Sequence, residues 1–181
     1  RDHMSRVRAL PRQSEENFRL INSFNDIFVA IGIVILLLAV GAIGQTIADI
    51  VAPKLPFPQW DWSQGPRPSD DPEWLAYTAS KEFNGWIRML FSGALVAVTA
   101  WPLSEFFTRK RRMALPSILL LLAFVGGVFF CVFGAGAALG SNGEELAGAL
   151  AVTFAGLVAA SAAFVHWRRF QVPITVAAAV G

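Results

Sequence analysis

Four runs of almost wholly apolar sequence, at 27–51, 86–107, 114–139 and 146–167, constrain this chain more than any other feature. Each has between 22 and 26 residues, enough to cross about 30 Å of hydrocarbon at about 1.5 Å per helical residue. Hydrocarbon holds no water to satisfy a backbone N–H or C=O, so a spanning segment must pair its own backbone groups, as a helix does. The sequence therefore predicts an all-α integral membrane protein: an antiparallel bundle of four transmembrane helices, with one short interfacial helix in the outer loop. Composition agrees, since charged residues make up only 15% of the 181 positions, against about a quarter in soluble domains.

The basic residues set the expected orientation, because Lys and Arg are retained on the cytoplasmic side of short loops. With the amino terminus inside, eleven of the fifteen fall inside: Arg1, Arg6, Arg8, Arg12, Arg19, the 109–112 tract, Arg168 and Arg169. Lys54, Arg67 and Lys81 are left outside, with Arg88 nearby. This arrangement resembles that of bacterial inner-membrane proteins and predicts a multi-pass cell inner-membrane location with a cytoplasmic amino terminus. Residues 1–3, ahead of Met4, read as a cloning remnant, and 1–23 as a cytoplasmic basic tail. The membrane domain is expected at 24–167, its first span capped by Ser23 or Asn25 and ended by Pro53. Beyond it, 168–181 reads as a cytoplasmic linker and the start of a fifth span cut short at Gly181.

The outer loop, 52–85, has a composition of its own. It holds six prolines, the acids Asp61, Asp70, Asp71, Glu73 and Glu82, and the aromatics Trp60, Trp62, Trp74, Tyr77 and Phe83. Asp71-Pro72-Glu73 is a good helix start, with an acid to cap and proline in the first turn. A short surface helix is expected from 72 to 83, closed by Asn84-Gly85. The tryptophans Trp60, Trp62 and Trp74 are more than an idle loop requires, and they are the candidate surface for another membrane or periplasmic protein.

Inside the spans, ionisable groups are costly and so point to function or to pairing. Gln45 and Asp49 lie one turn apart on the first span, and Arg88 stands at a similar depth on the second. These three are the candidate polar site, with Asp49 and Arg88 able to neutralise each other. Glu105 has Arg109 four residues on, in the favourable order for an ion pair. His166, beside Trp167 and Arg168, reads as a residue of the inner interface. Small residues mark the helix seams: Ala151, Ala155, Ala159 and Ala163 form a ridge on the fourth span, expected to meet Gly136 and Gly140 of the third.

Several classes of chemistry have no support. Cys131 is the lone cysteine, which excludes an intrachain disulfide and Cys-based metal sites. There is no phosphate-binding glycine loop, no GxSxG, no HExxH and no Cys-x-x-Cys, so no catalytic, cofactor or metal residue is assigned. A formal charge of +2 gives no nucleic-acid footprint. The expected role is a non-enzymatic membrane module, meaning a scaffold, an anchor or a partner-binding segment. The alternative is the amino-terminal part of a transporter or channel with its site at Gln45, Asp49 and Arg88. A lipid-directed enzyme would need catalytic groups outside this sequence.

Overall fold

The computed structural model describes residues 2–111, 113–140 and 145–170, with side-chain surroundings for 24–111, 113–140 and 146–170. Four long helices make up the fold: α1 (Asp2–Val51), α2 (Pro72–Ser104), α3 (Ala114–Leu139) and α4 (Glu145–Phe170). A 3₁₀ turn, Trp62–Gln64, interrupts the loop before α2, and a π-helical segment, Glu105–Lys110, continues α2. No strand occurs among the described residues. Each of the four carries a stretch long and apolar enough to cross a membrane: Phe24–Val51, Pro72–Lys110, Ala114–Leu139 and Leu146–Phe170. The turn expected at 141–143 and the apolar run from 174 to 181 lie outside the described residues.

Three boundaries differ from the sequence expectation. The first helix begins at Asp2 and not near residue 25, so 2–23 and the first span form one helix of 50 residues, about 75 Å long. No Gly or Pro interrupts 12–31, and extending a formed helix is far cheaper than nucleating another. The surface helix and the second span are likewise one element, because α2 passes through Asn84 and Gly85 without a break. A glycine inside a helix costs only about 1 kcal/mol, and the Asn84 amide nitrogen donates to the Pro53 carbonyl at 3.1 Å, tying the helix to the end of α1. Finally, α4 runs beyond Trp167 to Phe170, whose side chain is buried.

The start of α2 follows the expected chemistry. Asp71 Oδ1 accepts from the Glu73 N–H at 2.9 Å, with the Trp74 N–H at 3.5 Å, and Pro72 sits in the first turn. Near its other end Pro102 has no N–H to donate and crowds the preceding turn. The helical ladder then widens, with the Arg111 N–H reaching Phe106 O and the Met113 N–H reaching Phe107 O, both at 3.2 Å. Proline and π-turns are two of the recognised causes of helix bending, and here they fall within one short stretch.

Packing is densest between α2 and α3; α1 lies against α2 and α4 against α3. A small core of Ile33, Ala100 and Leu120 joins the first three helices. The helices meet mostly through absent side chains. A Cβ placed on Gly127 would lie 2.7 Å from Gly93 O and 2.8 Å from Ala97 N, and one on Gly93 would lie 2.6 Å from Cys131 N. Gly136 and Gly140 face Ala151 and Ala147 of α4 at 3.1 and 3.2 Å, which is the seam expected from the spacing, and Ala155 and Ala159 are buried along it. Gly127 and Gly134, by contrast, serve α2. Gly127→Ala is therefore expected to push α2 and α3 apart at a cost of about 1 to 3 kcal/mol. Gly126→Ala, whose added carbon meets nothing within 4 Å, should be neutral or slightly stabilising. Thermal unfolding of the two variants in the same detergent checks the pair.

Candidate functional site

The most organised polar feature is the loop before α2, and its centre is Arg67. Four prolines at 56, 58, 66 and 68 restrict the backbone here, each fixing its own φ and biasing the residue before it to extended conformations. Asp61 starts the 3₁₀ turn by accepting from the Ser63 N–H at 3.0 Å. Gly65 ends it with φ near +95°, a region where a side chain would be strained. That turn sends the chain back toward Pro58. One Arg67 Nη2 then donates to Gln59 O at 2.9 Å and to Pro58 O at 3.2 Å, closing the loop on itself.

Three further contacts hold the guanidinium. Its Nε lies 3.2 Å from Asp71 Oδ2, close enough for charge pairing though outside hydrogen-bond alignment. Its carbon stands 5.2 Å from the centre of the Trp60 ring and 5.3 Å from that of Trp74, in range of the attraction between a cation and an aromatic face. The Asp71 carboxylate thus caps α2 with one oxygen and holds Arg67 with the other. Trp60 is fixed again by its indole N–H, which donates to Gly65 O at 2.9 Å. Phe57 closes the far side, edge-on to Tyr77 at 5.4 Å and to Trp74 at 6.1 Å.

The three candidate tryptophans consequently have different surroundings. Trp60 and Trp74 are half-buried in the Arg67 assembly, whereas Trp62 is 75% exposed. Trp62 stands at the wall of a cavity of about 310 Å³ whose other walls include Phe57, Pro58, Trp60, Pro68 and Trp74. Beside it runs a more open cleft bordered by Asp61, Asp70 and Glu73. The Asp61 carboxyl is held below its ordinary range, first by the Ser63 hydroxyl, then by the Ser63 N–H and the Gln64 amide.

The polar residues expected within the helices are placed as follows. Arg88 and Asp49 meet: Nε and Nη2 both approach Asp49 Oδ1, at 2.7 and 2.6 Å, and both side chains are partly exposed. Gln45 is exposed one turn away and lines a mainly apolar groove with Leu38, Gly41, Ser92, Leu122 and Phe130. It makes no hydrogen bond among the described residues, while neighbouring Thr46 turns back to Ala42 O at 3.0 Å. Glu105 pairs with Arg109 on its own strand of helix, and Arg169 of α4 comes within 3.6 Å of the same oxygen. The two sets are separate, with no contact linking Glu105 to Asp49 or Arg88.

Two functional candidates escape a reading of residue types alone. Arg67 counts in sequence as one more outer positive charge, yet it is the only basic residue between Lys54 and Lys81. A lone guanidinium among that many acids and aromatics was the available signal. The other is His166, which is fully buried and not at a surface. Its Nε2 lies 3.1 Å from Ser104 Oγ, and the Ser104 hydroxyl donates to Ala100 O at 2.9 Å. The network therefore assigns the imidazole proton to Nε2, leaving Nδ1 buried without a partner. Trp101, Phe124 and Phe170 surround the ring at 4.4 to 5.9 Å between centres. No signal in the linear sequence pairs positions 104 and 166. Among the described residues no three His, Cys, Asp or Glu side chains converge as metal ligands would.

Comparison with protein-family models, with curated proteins and with solved structures returned no match. The local geometry nonetheless makes a sharp expectation. Removing one partner of a fully buried ion pair costs about 3 to 5 kcal/mol, and the Arg67 and Asp71 side chains, 11% and 12% exposed, fall somewhat short of that, at about 2 to 3 kcal/mol, so Arg67→Met should raise the rate of native-state proteolysis in 56–71 by roughly a hundredfold. Arg67→Lys keeps the charge but loses the planar fork and the stacking, and should fall between the two. Limited proteolysis read by mass spectrometry, with α3 and α4 peptides as internal references, measures both.

Proposed function

We propose that this chain is a non-enzymatic, multi-pass module of a bacterial inner membrane, whose helices present the loop before α2 as a recognition surface for another membrane or periplasmic protein. The four helices cross the bilayer antiparallel with the amino terminus in the cytoplasm. Supporting this are the four apolar stretches and the eleven basic residues that this orientation places inside. The bilayer is the first partner, and the exposed Leu, Ile, Phe and Val side chains of α1 and α4 form the face it covers.

The single observation that carries the recognition role is the contrast within the loop. Arg67 is held by Asp71, Trp60 and Trp74, and Trp62 is left exposed at the wall of a formed cavity. A rigid aromatic beside a pocket, on a frame that needs no ordering, suits binding because little conformational entropy is lost on association.

A photo-crosslinking amino acid at position 62, installed in the full chain in its native membrane, tests the reading. One discrete protein adduct is expected, absent when the probe sits at Ile50 on the exposed flank of α1 and strongly reduced by Arg67→Met. Lipid adducts alone, or the same pattern from both positions, would overturn it.

A further inference from the structure

We propose that the cavity lined by Trp62 and the acidic cleft beside it form one docking site, and that its ligand is an extended polypeptide segment carrying an apolar or aromatic side chain two residues from Lys or Arg. This rests on the loop being the recognition surface and names what that surface takes.

The two depressions share a wall, since Gln59, Trp60 and Pro68 border both. A ligand that fills both must present an apolar group and a polar group on the same face, which side chains two residues apart on one extended segment do, at a spacing of about 7 Å. On the apolar side, about 310 Å³ bounded mainly by aromatic and proline surfaces, with Gln59, Ser69 and the engaged Arg67 at its wall, holds one large side chain. On the other side stand Asp61, Asp70 and Glu73, and no cation lies within ion-pair distance of any of them among the described residues. Arg67, which lines the adjoining cavity, is already committed to Asp71, Gln59 and Pro58. The cleft is therefore a patch of about three uncompensated negative charges, and the shared wall sets it beside an apolar socket.

Charge selects the occupant. A purely apolar ligand would strip water from the exposed carboxylates without replacing it, and an acidic segment or an anionic lipid headgroup would be repelled. A cationic neighbour to the apolar anchor meets the acids at the rim, where such pairs steer encounter and exclude wrong partners more than they add affinity. The hydrogen bonds that Asp61 accepts from Ser63 and Gln64 keep that carboxylate ionised and aimed.

The full chain in phosphatidylcholine nanodiscs is titrated against a dye-labelled, end-blocked heptapeptide with one phenylalanine between two pairs of lysines, followed by fluorescence anisotropy. Saturable binding is expected, weaker by at least about tenfold when the phenylalanine becomes serine or the lysines become glutamate, the effect of losing one anchor or inverting the charge. The triple change Asp61→Asn, Asp70→Asn and Glu73→Gln should weaken binding comparably. Asparagine at 61 retains an oxygen for the Ser63 N–H, and an unchanged proteolysis pattern certifies the fold. Trp62→Ala gives an independent loss without touching charge.

Equal binding of the three peptides, indifference to the triple change, or the same signal from empty nanodiscs would overturn the proposal. The crosslinking result at position 62 separates the two levels. A discrete protein adduct together with no peptide discrimination removes the assigned chemistry and leaves the recognition surface standing. No adduct and no peptide binding removes both.

Discussion

Where lipid replaces water around a helix, apolar side chains gain nothing by leaving it for a neighbouring helix, and association depends on how closely backbones can approach. In this chain that approach is set at the crossing of Gly93 and Gly127, each of which stands where a single added carbon would collide with the other helix's backbone. The α2–α3 pair so formed is the most extensive contact in the molecule, and α1 and α4 are added to its two sides. Gly44 repeats the device against Ser92 for α1, and Gly136 and Gly140 against the alanines of α4. Close contact of this kind gains dispersion energy along the whole seam and needs few polar groups. Among the described residues the polar side-chain contacts between the helices are correspondingly few: Asp49 with Arg88, Glu105 with Arg169, and His166 with Ser104.

Outside the bundle the governing interaction changes from backbone proximity to charge. The Arg67 guanidinium has five N–H groups in a fixed plane and two faces. Its edge serves a carboxylate and two carbonyls, and indole rings lie near its faces. A loop rich in proline has few backbone N–H donors with which to build structure, so a side chain takes over the work of crosslinking it. Because Asp71 belongs both to this assembly and to the cap of α2, the loop is continuous with the most extensive contact of the bundle, that of α2 with α3.

The four apolar helices were legible because apolar length is a strong signal, and Asp49 and Arg88 could be named as candidate partners because an unpaired charge in an apolar stretch is costly, though helix rotation decides whether they meet. Asp71 as a cap, Glu105 with Arg109, and Gly136 with Gly140 against the fourth span followed from spacing along one helix. Elements that depend on tertiary contact were not legible. Asn84-Gly85 carries the composition of a chain reversal, and the bond from Asn84 to Pro53 keeps it helical. The three loop tryptophans have the same local character, and only the position of a guanidinium seven residues from each of Trp60 and Trp74 separates two structural rings from one free one. His166 next to Trp167 and Arg168 has an interfacial setting in sequence, but the rotation of α4 turns it inward to a serine 62 positions away.

The continuity of α2 has a mechanical consequence. Thirty-three residues of unbroken helix make a rod of about 50 Å. Its first turn holds Trp74 and the Asp71 cap, its middle carries Arg88, and its last turn carries Ser104. Such a rod transmits torque and axial displacement with little loss, because bending it would strain many hydrogen bonds at once. Compliance is concentrated at the end, where Pro102 and the π-helical turn slacken the ladder next to Glu105 and its two arginines. A load applied to the aromatic loop is thereby delivered, through a stiff shaft, to a pliable joint on the opposite face of the bundle.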